Sequence, residues 1–290
     1  MRLFRIAGLI IFILSSVAFI AYRVYEYTNT DVAGPEITFP TDVIYAEVNA
    51  AEDVLLQDVR AYDEKDGDVT GTLIIESISK FVSPGKRIIT YAAFDKSNNI
   101  SKKERYLVYT DYTTPKFSLS RPLSFIAGEY ANIIEFMTVE DCIDGDLSSN
   151  IRYMDLDSKF GIAEGEFIVN FWVTNSCGDT AYLPAKVEYH YPTYDINKIP
   201  VIILDNYIVY VEQGSTFFPN IYPIGFSLGS NKYSFLEKPS FNINGKIVTK
   251  SMIEIDSNVN TNVPGVYYVD YILTIEEGLT GKTTMIVVVE

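Results

Sequence analysis

The sequence has few of the residues on which most hydrolytic and transfer active sites depend. Its 290 residues include one histidine, His190, and two cysteines, Cys142 and Cys177. A Ser-His-Asp or Cys-His arrangement would have to use His190, and neither cysteine lies beside it in the sequence. The sequence also has no glycine-rich phosphate loop and no zinc-type spacing of ligands. The composition therefore predicts a protein that is not an enzyme.

Positive charge is scarce as well. The chain has 23 lysines and arginines against 38 aspartates and glutamates, which gives a net charge of −15 at pH 7. A surface of this sign repels phosphate backbones, so we expect no nucleic acid among the partners. Cations are the favoured small ligands.

Helical periodicity is absent after residue 25, whereas tyrosine, phenylalanine and β-branched residues are abundant, so the body is predicted to be all-β. One stretch, residues 84–95, returns as 164–175 and again as 264–274. Residues of one parity are apolar in each copy, and the opposite parity carries Thr90, Asn170 and Asp270. This is the pattern of a half-buried antiparallel strand. The apolar residues are Ile89, Tyr91, Ala93, Val169, Phe171, Val173, Val269, Tyr271 and Leu273.

The repeat predicts three modules, each about 80 to 95 residues long, which is within the usual size of one domain. A proline marks the start of each module, at Pro35, Pro115 and Pro200. The predicted organisation is residues 1–33, 34–112, 113–193 and 194–290. The predicted strands outside the repeated stretch are 54–62, 74–79, 105–109, 133–139 and 185–190.

The N-terminus contains an uncharged apolar run from Ile6 to Tyr22, at the short end of what spans a bilayer. Arg2 and Arg5 precede this run, and acidic residues follow Arg23, which favours an N-terminus inside and a body outside the cell. The same run could be a signal peptide cleaved after Ala18. We favour a retained transmembrane helix, because the apolar run continues past Ala18. Both interpretations place the modules outside the cell membrane.

An acidic turn and a repeated strand together resemble a known family. The first module has Asp63, then Asp66-Gly67-Asp68, then Pro84-Gly85 and a strand ending in Tyr91-Ala92-Ala93-Phe94-Asp95. This order resembles the bacterial surface Ig-like domain, found in modules of some pesticidal crystal proteins and similar to the hyalin-type repeat. The second module keeps Asp141, Asp144-Gly145-Asp146 and Gly165, but has Asn175 in place of the last aspartate. The third module keeps only Pro264-Gly265 and the strand after it.

The resemblance implies tandem immunoglobulin-like β-sandwiches that are extracellular and not catalytic. In such a sandwich, the loops after the second and sixth strands lie at the same end. That arrangement would bring the acidic turn of each module close to the residue that follows its repeated strand. Oxygen ligands gathered in this way could hold Ca²⁺, or the aspartates could simply cap turns. The candidate ligands are Asp63, Asp66, Asp68 and Asp95 in the first module, and Asp141, Asp144 and Asp146 in the second.

The two cysteines fall in the same pair of loops of the second module. Because an exported chain meets oxidising conditions, we expect a Cys142–Cys177 disulfide, with two reduced thiols as the alternative. Trp172 has the parity of Asn170, which suggests a partly exposed ring that could bind a partner or pack beneath a loop. We expect no role for His190 beyond packing.

Together these features predict a membrane-anchored extracellular stalk that binds a protein or glycan at the cell surface. An end-to-end chain of modules would display the divergent third module. The alternative is a scaffold component of a cell-envelope assembly, such as a secretion, polysaccharide or pilus-like complex. A sensor is disfavoured, because only a few residues precede the apolar run.

Overall fold

A computed structural model describes residues 2–154, 158–191, 196–276 and 279–290. The chain divides into two compact units, Met1–Asp111 and Tyr112–Glu290, which we call unit 1 and unit 2. Within unit 2, residues 112–191 are termed the second segment and residues 196–290 the third segment. The predicted boundary between residues 193 and 194 lies outside the described residues.

Unit 1 begins with a long apolar helix, α1 (Arg2–Asn29). Its part from Phe4 to Thr28 contains an 18-residue stretch with a mean hydropathy of 2.3, none of which is buried. At 1.5 Å per residue the 25 residues from Phe4 to Thr28 extend about 38 Å, longer than the roughly 30 Å hydrocarbon core of a bilayer. The predicted N-terminal apolar helix is therefore confirmed as a helix.

The remaining helical elements are short. Helix α2 (Glu52–Leu55) lies in unit 1. Single 3₁₀ turns occupy Thr70–Thr72, Ile133–Phe136, Ser148–Asn150, Ile196–Lys198, Pro219–Ile221 and Lys250–Met252.

The rest of the described chain is mainly β-strand. In unit 1 the strands are β1 (Glu36–Thr38), β2 (Val43–Ala46), β3 (Arg60–Asp63), β4 (Gly67–Asp68), β5 (Ile74–Ile78), β6 (Lys86–Phe94) and β7 (Ile100–Tyr109). In the second segment they are β8 (Lys116–Leu119), β9 (Ser124–Ile126), β10 (Met137–Asp141), β11 (Gly145–Asp146), β12 (Arg152–Met154), β13 (Gly165–Thr174) and β14 (Thr180–His190).

In the third segment the strands are β15 (Val201–Leu204), β16 (Ile208–Val211), β17 (Pro223–Leu228), β18 (Asn231–Ser234), β19 (Ser240–Ile243), β20 (Lys246–Thr249), β21 (Glu254–Ser257), β22 (Gly265–Glu276) and β23 (Leu279–Val289).

The same sheet topology occurs three times. Unit 1 has a three-stranded sheet, β1-β3-β4, and a four-stranded sheet, β2-β7-β6-β5. The second segment repeats this order as β8-β10-β11 and β9-β14-β13-β12, and the third as β15-β17-β18 and β16-β23-β22-β21. In each copy the second strand (β2, β9 or β16) pairs in parallel with the last strand (β7, β14 or β23). The repeated strand (β6, β13 or β22) pairs antiparallel with the same last strand. The third segment adds the hairpin β19-β20.

Alternating side chains of both sheets meet in one core in unit 1. Ile37 and Ala61 from the smaller sheet lie in the same apolar cluster as Ile89, Tyr91 and Leu107 from the larger sheet. The buried Tyr91 also donates a hydrogen bond from its hydroxyl to the carbonyl of Leu55, at 2.7 Å. The residues with this inward parity are those that the repeat predicted as core-facing.

Two of the predicted strands begin later in the structure than in the sequence analysis. The first two residues of the predicted strand 54–62 belong to α2, because Glu52 and Asp53 suit a helix start and Leu55 is buried. Asp58 then adopts a positive φ of 62°, which breaks an extended chain before β3. In the second segment the predicted strand 133–139 begins as a 3₁₀ turn, and β10 starts at Met137.

The second and third segments share a core. Ile208 of β16 and Ile286 of β23 belong to the apolar cluster formed by the second segment. The hydroxyl of Tyr210 on β16 accepts a hydrogen bond from the backbone amide of Phe117 on β8, at 2.7 Å, and burial raises the pKa of Tyr210 to about 12. These contacts lie along strands, so the two segments do not meet end to end as the sequence analysis expected.

Charged side chains border this shared core. Lys186 of β14 lies 3.1 Å from Asp270 of β22, and Lys282 of β23 lies 3.0 Å from Glu188. Lys282 also donates to Glu166 of β13. The hydrogen bond from Lys282 holds the pKa of Glu166 below its ordinary value of 4.5. Unit 2 therefore gains stability from Glu166 above about pH 4.5 and loses it as the pH falls through the lower, folded-state pKa.

Replacing the lysine that binds two carboxylates should weaken unit 2 and flatten its response to acid. For Lys282→Met we expect unit 2 to lose about 0.5–1 kcal/mol of unfolding free energy at pH 7. The loss should shrink towards pH 3, where the carboxylates are protonated. Urea unfolding at several pH values measures both effects. Lys102→Met, which removes an exposed ion pair with Glu76 in unit 1, is the control and should change unit 2 little. Equal losses at pH 7 and pH 3 would contradict this account.

Candidate functional site

The acidic turn of unit 1 is built around a buried carboxylate. Asp63, at the end of β3, is 3% exposed, and its Oδ1 accepts hydrogen bonds from the backbone amides of Lys65 and Asp66, at 2.8 and 2.9 Å. Gly67 takes a φ of 79° and returns the chain into β4. The turn therefore holds the side chain of Asp63 inside the protein.

A second buried carboxylate follows the repeated strand. Asp95 comes directly after β6 and is also 3% exposed. Its Oδ1 accepts from the backbone amide of Asn99 at 2.8 Å, and its Oδ2 accepts from Asn99 Nδ2 at 2.7 Å. Burial raises the pKa of Asp95, but the hydrogen bonds from Asn99 outweigh it and leave the pKa below the ordinary value. The structure thus favours the charged form of this carboxyl group.

A third carboxylate reaches the same place from the segment after α1. One oxygen each from Asp31, Asp63 and Asp95 lies within 4.8 Å of the others. The Asn99 side chain ties the segment down by donating to the carbonyl of Asp31 at 3.1 Å. Lys65 Nζ is 3.8 Å from Asp31 Oδ1. Asp31 was not among the predicted ligands, although it stands just before the Pro35 module start, in a linker whose polarity gave no reason to single it out.

This three-carboxylate cluster has the donor chemistry of a calcium site. Like charges at this spacing repel each other in a buried setting, and a bound cation relieves the repulsion. Ca²⁺ prefers carboxylate oxygens at about 2.3–2.6 Å, so opposite ligands stand about 5 Å apart. The spacing in unit 1 fits that requirement. Backbone carbonyls and water would have to complete the six to eight ligands that Ca²⁺ takes.

The other two predicted ligands of unit 1 bond to backbone amides outside the cluster. Asp66 Oδ2 accepts from the amide of Lys96 at 2.8 Å and so connects the two loops. Asp68 Oδ1 accepts from the amide of Thr70 at 2.9 Å, and hydrogen bonds from Thr70 lower the pKa of Asp68. Asp68 therefore caps a turn, which was the alternative interpretation of the acidic loop, whereas Asp66 joins one loop to the other.

The second segment has the same turn, but no aspartate directly follows its repeated strand. Asp141 is buried, and its Oδ1 accepts from the amides of Ile143 and Asp144 at 2.9 and 2.8 Å. Where unit 1 has Asp95, this segment has Asn175, whose Nδ2 donates to Asp141 Oδ2 at 3.2 Å and to the Tyr112 hydroxyl at 3.1 Å. An amide donor thus takes the place of the second charge.

Tyr112 completes this network by donating its hydroxyl proton to Asp179 Oδ2 at 2.6 Å. Burial and the Asp179 carboxylate raise the pKa of Tyr112 above its ordinary range. Asp144 accepts from the amide and hydroxyl of Ser176, and Asp146 Oδ1 accepts from the amide of Ser148. Within the described part of the second segment, Asp141, Asp144 and Asp146 therefore form no carboxylate cluster like that of unit 1.

The expected disulfide is wrong, because the structure has both cysteines as free thiols. Cys177 is buried, whereas Cys142 Sγ contacts the backbone of Thr113, 3.3 Å from its carbonyl oxygen. The two loops do approach each other, since Asp144 of one bonds Ser176 of the other. Neighbouring loops do not by themselves align two sulfur atoms, which need a specific Cβ geometry.

Trp172, the predicted binding residue, and His190 both lie in the four-stranded sheet of the second segment. Trp172 is half-buried on β13, opposite Arg152 of β12 and the exposed Tyr182 of β14. His190, at the end of β14, is half-buried, and its Nδ1 is 3.5 Å from Ser124 Oγ.

No family model and no curated protein sequence matches the chain. Among solved structures, it resembles CBM51-2 with INT domains from Clostridium perfringens ZmpB at 16% identity and a TM-score of 0.22, covering 52% of this chain and 26% of that one. The M60 catalytic domain with CBM51 domains of ZmpB has 13% sequence identity and a TM-score of 0.22, and the match covers 88% of this chain and 30% of that one. Mouse cadherin-23 EC22-24 has 11% sequence identity and a TM-score of 0.21, and the match covers 88% of this chain and 98% of that one.

The chain thus spans about a quarter to a third of the two ZmpB structures. TM-scores near 0.2 identify neither a fold nor a function, and the resemblance to bacterial surface Ig-like domains stays a prediction.

Introducing the missing aspartate should destabilise unit 2. In Asn175→Asp the side chain can no longer donate to Asp141 and Tyr112 and adds a buried like charge. We expect a loss of about 1–3 kcal/mol at pH 7, measured by urea unfolding. Asn170→Asp, on the exposed face of the same strand, is the control and should stay within about 0.5 kcal/mol of the natural protein. An unchanged stability in Asn175→Asp would show that the amide bridge does not support this loop.

Proposed function

We propose that the protein is a membrane-anchored, extracellular binding protein without catalytic activity. The observation that carries the proposal is α1, whose apolar side chains are exposed along Phe4–Thr28 while the β units bury theirs in cores of their own. An apolar surface of that length is stable in a bilayer and costly in water. Arg5 at the N-terminal end and acidic residues beyond Arg23 favour an outward orientation of the β units.

The β units would act as immunoglobulin-like sandwiches in tandem. Support comes from the threefold repetition of a three-stranded and a four-stranded sheet and, in unit 1, from the cluster that joins both sheets. The acidic turn and the repeated strand are those of the bacterial surface Ig-like family that the sequence resembles. We further propose that unit 2 is the adhesive part, binding a protein or glycan at the cell surface. Its third segment departs most from the repeat and adds the hairpin β19-β20.

The cofactor proposed for this function is Ca²⁺, held by Asp31, Asp63 and Asp95. Asp31 belongs to the segment between α1 and β1, and the other two belong to the β unit. A cation bound to all three would therefore fix the segment next to the membrane against unit 1. The proposal is supported by the burial of Asp63 and Asp95 and by the absence of an amide bridge such as that of Asn175 between these carboxylates within the described residues.

Membrane anchoring is tested with cells that produce the full chain. We expect intact cells treated with an external protease to lose the β-sheets of both units, while a fragment containing α1 stays with the membrane. Mass spectrometry of the untreated chain should find the N-terminus intact. Ile13→Arg, which places a charge in the middle of the apolar helix, should release the protein from the membrane, whereas Val32→Arg beyond the helix should not.

Two results of that experiment would contradict the proposal. Protection of both units in intact cells would place them inside the membrane. A chain that begins after Ala18 would show a cleaved signal peptide and remove the anchor.

Calcium binding is tested by thermal unfolding of the full chain in detergent. We expect Ca²⁺ to raise the melting temperature of unit 1 by several degrees in a saturable way, and Mg²⁺ to do so less. Asp95→Asn should abolish the calcium effect, because it removes one of the three carboxylate ligands. Asp256→Asn, on the exposed strand β21, is the matched control and should keep the calcium response. A response unchanged in Asp95→Asn would contradict this site.

A further inference from the structure

The second segment has a cleft of about 480 Å³ at the end of its four-stranded sheet. It lies between the chain that leads from β8 through β9 to β10 and the last residue of β14. The parallel pairing of β9 with β14 aligns His190 with Ile126, and the amide of Ala127 donates to the carbonyl of His190 at 2.9 Å. Two distant parts of the sequence thus form one concave surface, of a size typical for a small ligand.

One wall of this cleft consists of two tilted aromatic rings and a guanidinium group over one of them. The rings of Phe125 and Phe136 lie 6.0 Å apart, and the guanidinium carbon of Arg121 is 4.3 Å from the centre of the Phe136 ring. Arg121 Nη2 donates to the carbonyl of Ser124 at 3.3 Å. Stacking and this hydrogen bond hold the guanidinium in place, and its remaining N–H groups are donors for a ligand.

A hydroxyl and an imidazole add polar atoms to the cleft. Ser124 Oγ and His190 Nδ1 are 3.5 Å apart, and both side chains are half-buried. Each can donate or accept a hydrogen bond. Their separation is at the outer limit of a hydrogen bond, so both atoms retain capacity for another partner.

The rim carries four exposed polar side chains. Tyr130 is 94% exposed, and Glu129, Asn132 and Glu135 are exposed as well. None of these four side chains has a hydrogen bond or ion pair with another residue in the described part of the chain. All four line the same cleft. The rim therefore offers two carboxylate acceptors, an amide that can donate and accept, and the face of an aromatic ring.

We infer that this cleft binds a neutral pyranose unit of a carbohydrate. Each sugar hydroxyl donates and accepts, so it needs the mixture of carboxylates, guanidinium, amide and imidazole found here. The C–H face of a pyranose ring matches the exposed face of Tyr130. One fixed arginine against two glutamates leaves no strong positive charge for a phosphate or sulfate, while Arg121 disfavours a cationic peptide.

The inference deepens the proposed surface-binding function by giving unit 2 a ligand class, a neutral sugar, and a site. It rests on that function for its biological meaning. Its test is made on the purified chain and does not depend on where the cell places the protein. A failure of sugar binding and a failure of membrane anchoring are therefore distinguishable.

The experiment uses the full chain in a detergent without a sugar headgroup, such as lauryldimethylamine oxide. Saturation-transfer difference NMR and calorimetry are run with glucose, galactose, mannose and N-acetylglucosamine, and with maltotriose and chitotriose. Tetralysine and inorganic phosphate are the charged probes. We expect saturable binding of at least one neutral sugar and none of the charged probes.

Two variants locate the binding. Tyr130→Ala removes an exposed ring without touching the core and should weaken sugar binding about tenfold, which corresponds to about 1.4 kcal/mol. Glu135→Gln keeps the shape of the side chain but not its charge, and should also weaken it. Tyr182→Ala removes a tyrosine that is 70% exposed on β14 and outside the cleft, and should leave binding unchanged.

Three results would overturn the inference. If no neutral sugar or trisaccharide binds, the ligand class is wrong. If a sugar binds equally well to Tyr130→Ala and the natural chain, the cleft is not the site. If tetralysine or phosphate alone binds, the polar groups of the cleft serve a charged ligand instead.

Discussion

A buried carboxylate that closes its own turn sets the chemistry of both acidic loops. Asp63 and Asp141 each accept two backbone amides, and their burial leaves a negative charge that the protein must balance. The next residue to face that charge follows the repeated strand. Asn175 balances it with an amide donor, whereas Asp95 adds to it. One change of an amide to a carboxylate thus separates a loop bridged by a hydrogen bond from a loop with two buried carboxylates, to which the proposed cation would bind.

The same constraint fixes how the chain enters unit 1 and the second segment. Asp31 stands before β1 and Tyr112 before β8, and both reach the charged end of the loop pair. In the second segment the connection is a chain of hydrogen bonds in which Asn175 and Tyr112 link the carboxylates of Asp141 and Asp179. In unit 1 the corresponding groups are carboxylates, so under the proposed calcium site the strength of the connection would depend on the ion. If α1 is an anchor, this junction is where calcium would change how unit 1 is held.

Much of the fold could be predicted from alternating hydrophobicity, since the inward residues of β6, β13 and β22 are buried as expected. The packing of the second segment on the third was not predicted. A signal was present: the final strand has apolar residues on both faces, with Met285 and Val287 on one and Ile286 and Val288 on the other. A strand that is apolar on both faces is typical of burial on both sides. This strand, β23, was not among those predicted from the sequence.

The candidate sites were partly accessible from sequence, for a physical reason. Proximity of Asp63 to Asp95 follows from sheet topology, so a resemblance to a fold can predict it. The position of a sulfur atom depends on local geometry and cannot be predicted from the fold. The contact of Cys142 Sγ with the carbonyl of Thr113 is an example. The cleft at Tyr130 and His190 depends on a parallel pairing between distant strands. A single exposed aromatic ring needs no explanation. What marks this cleft as a candidate site is the set of polar groups around the Tyr130 ring. These residues come together only in the folded chain, so none of them indicates the site by its place in the sequence.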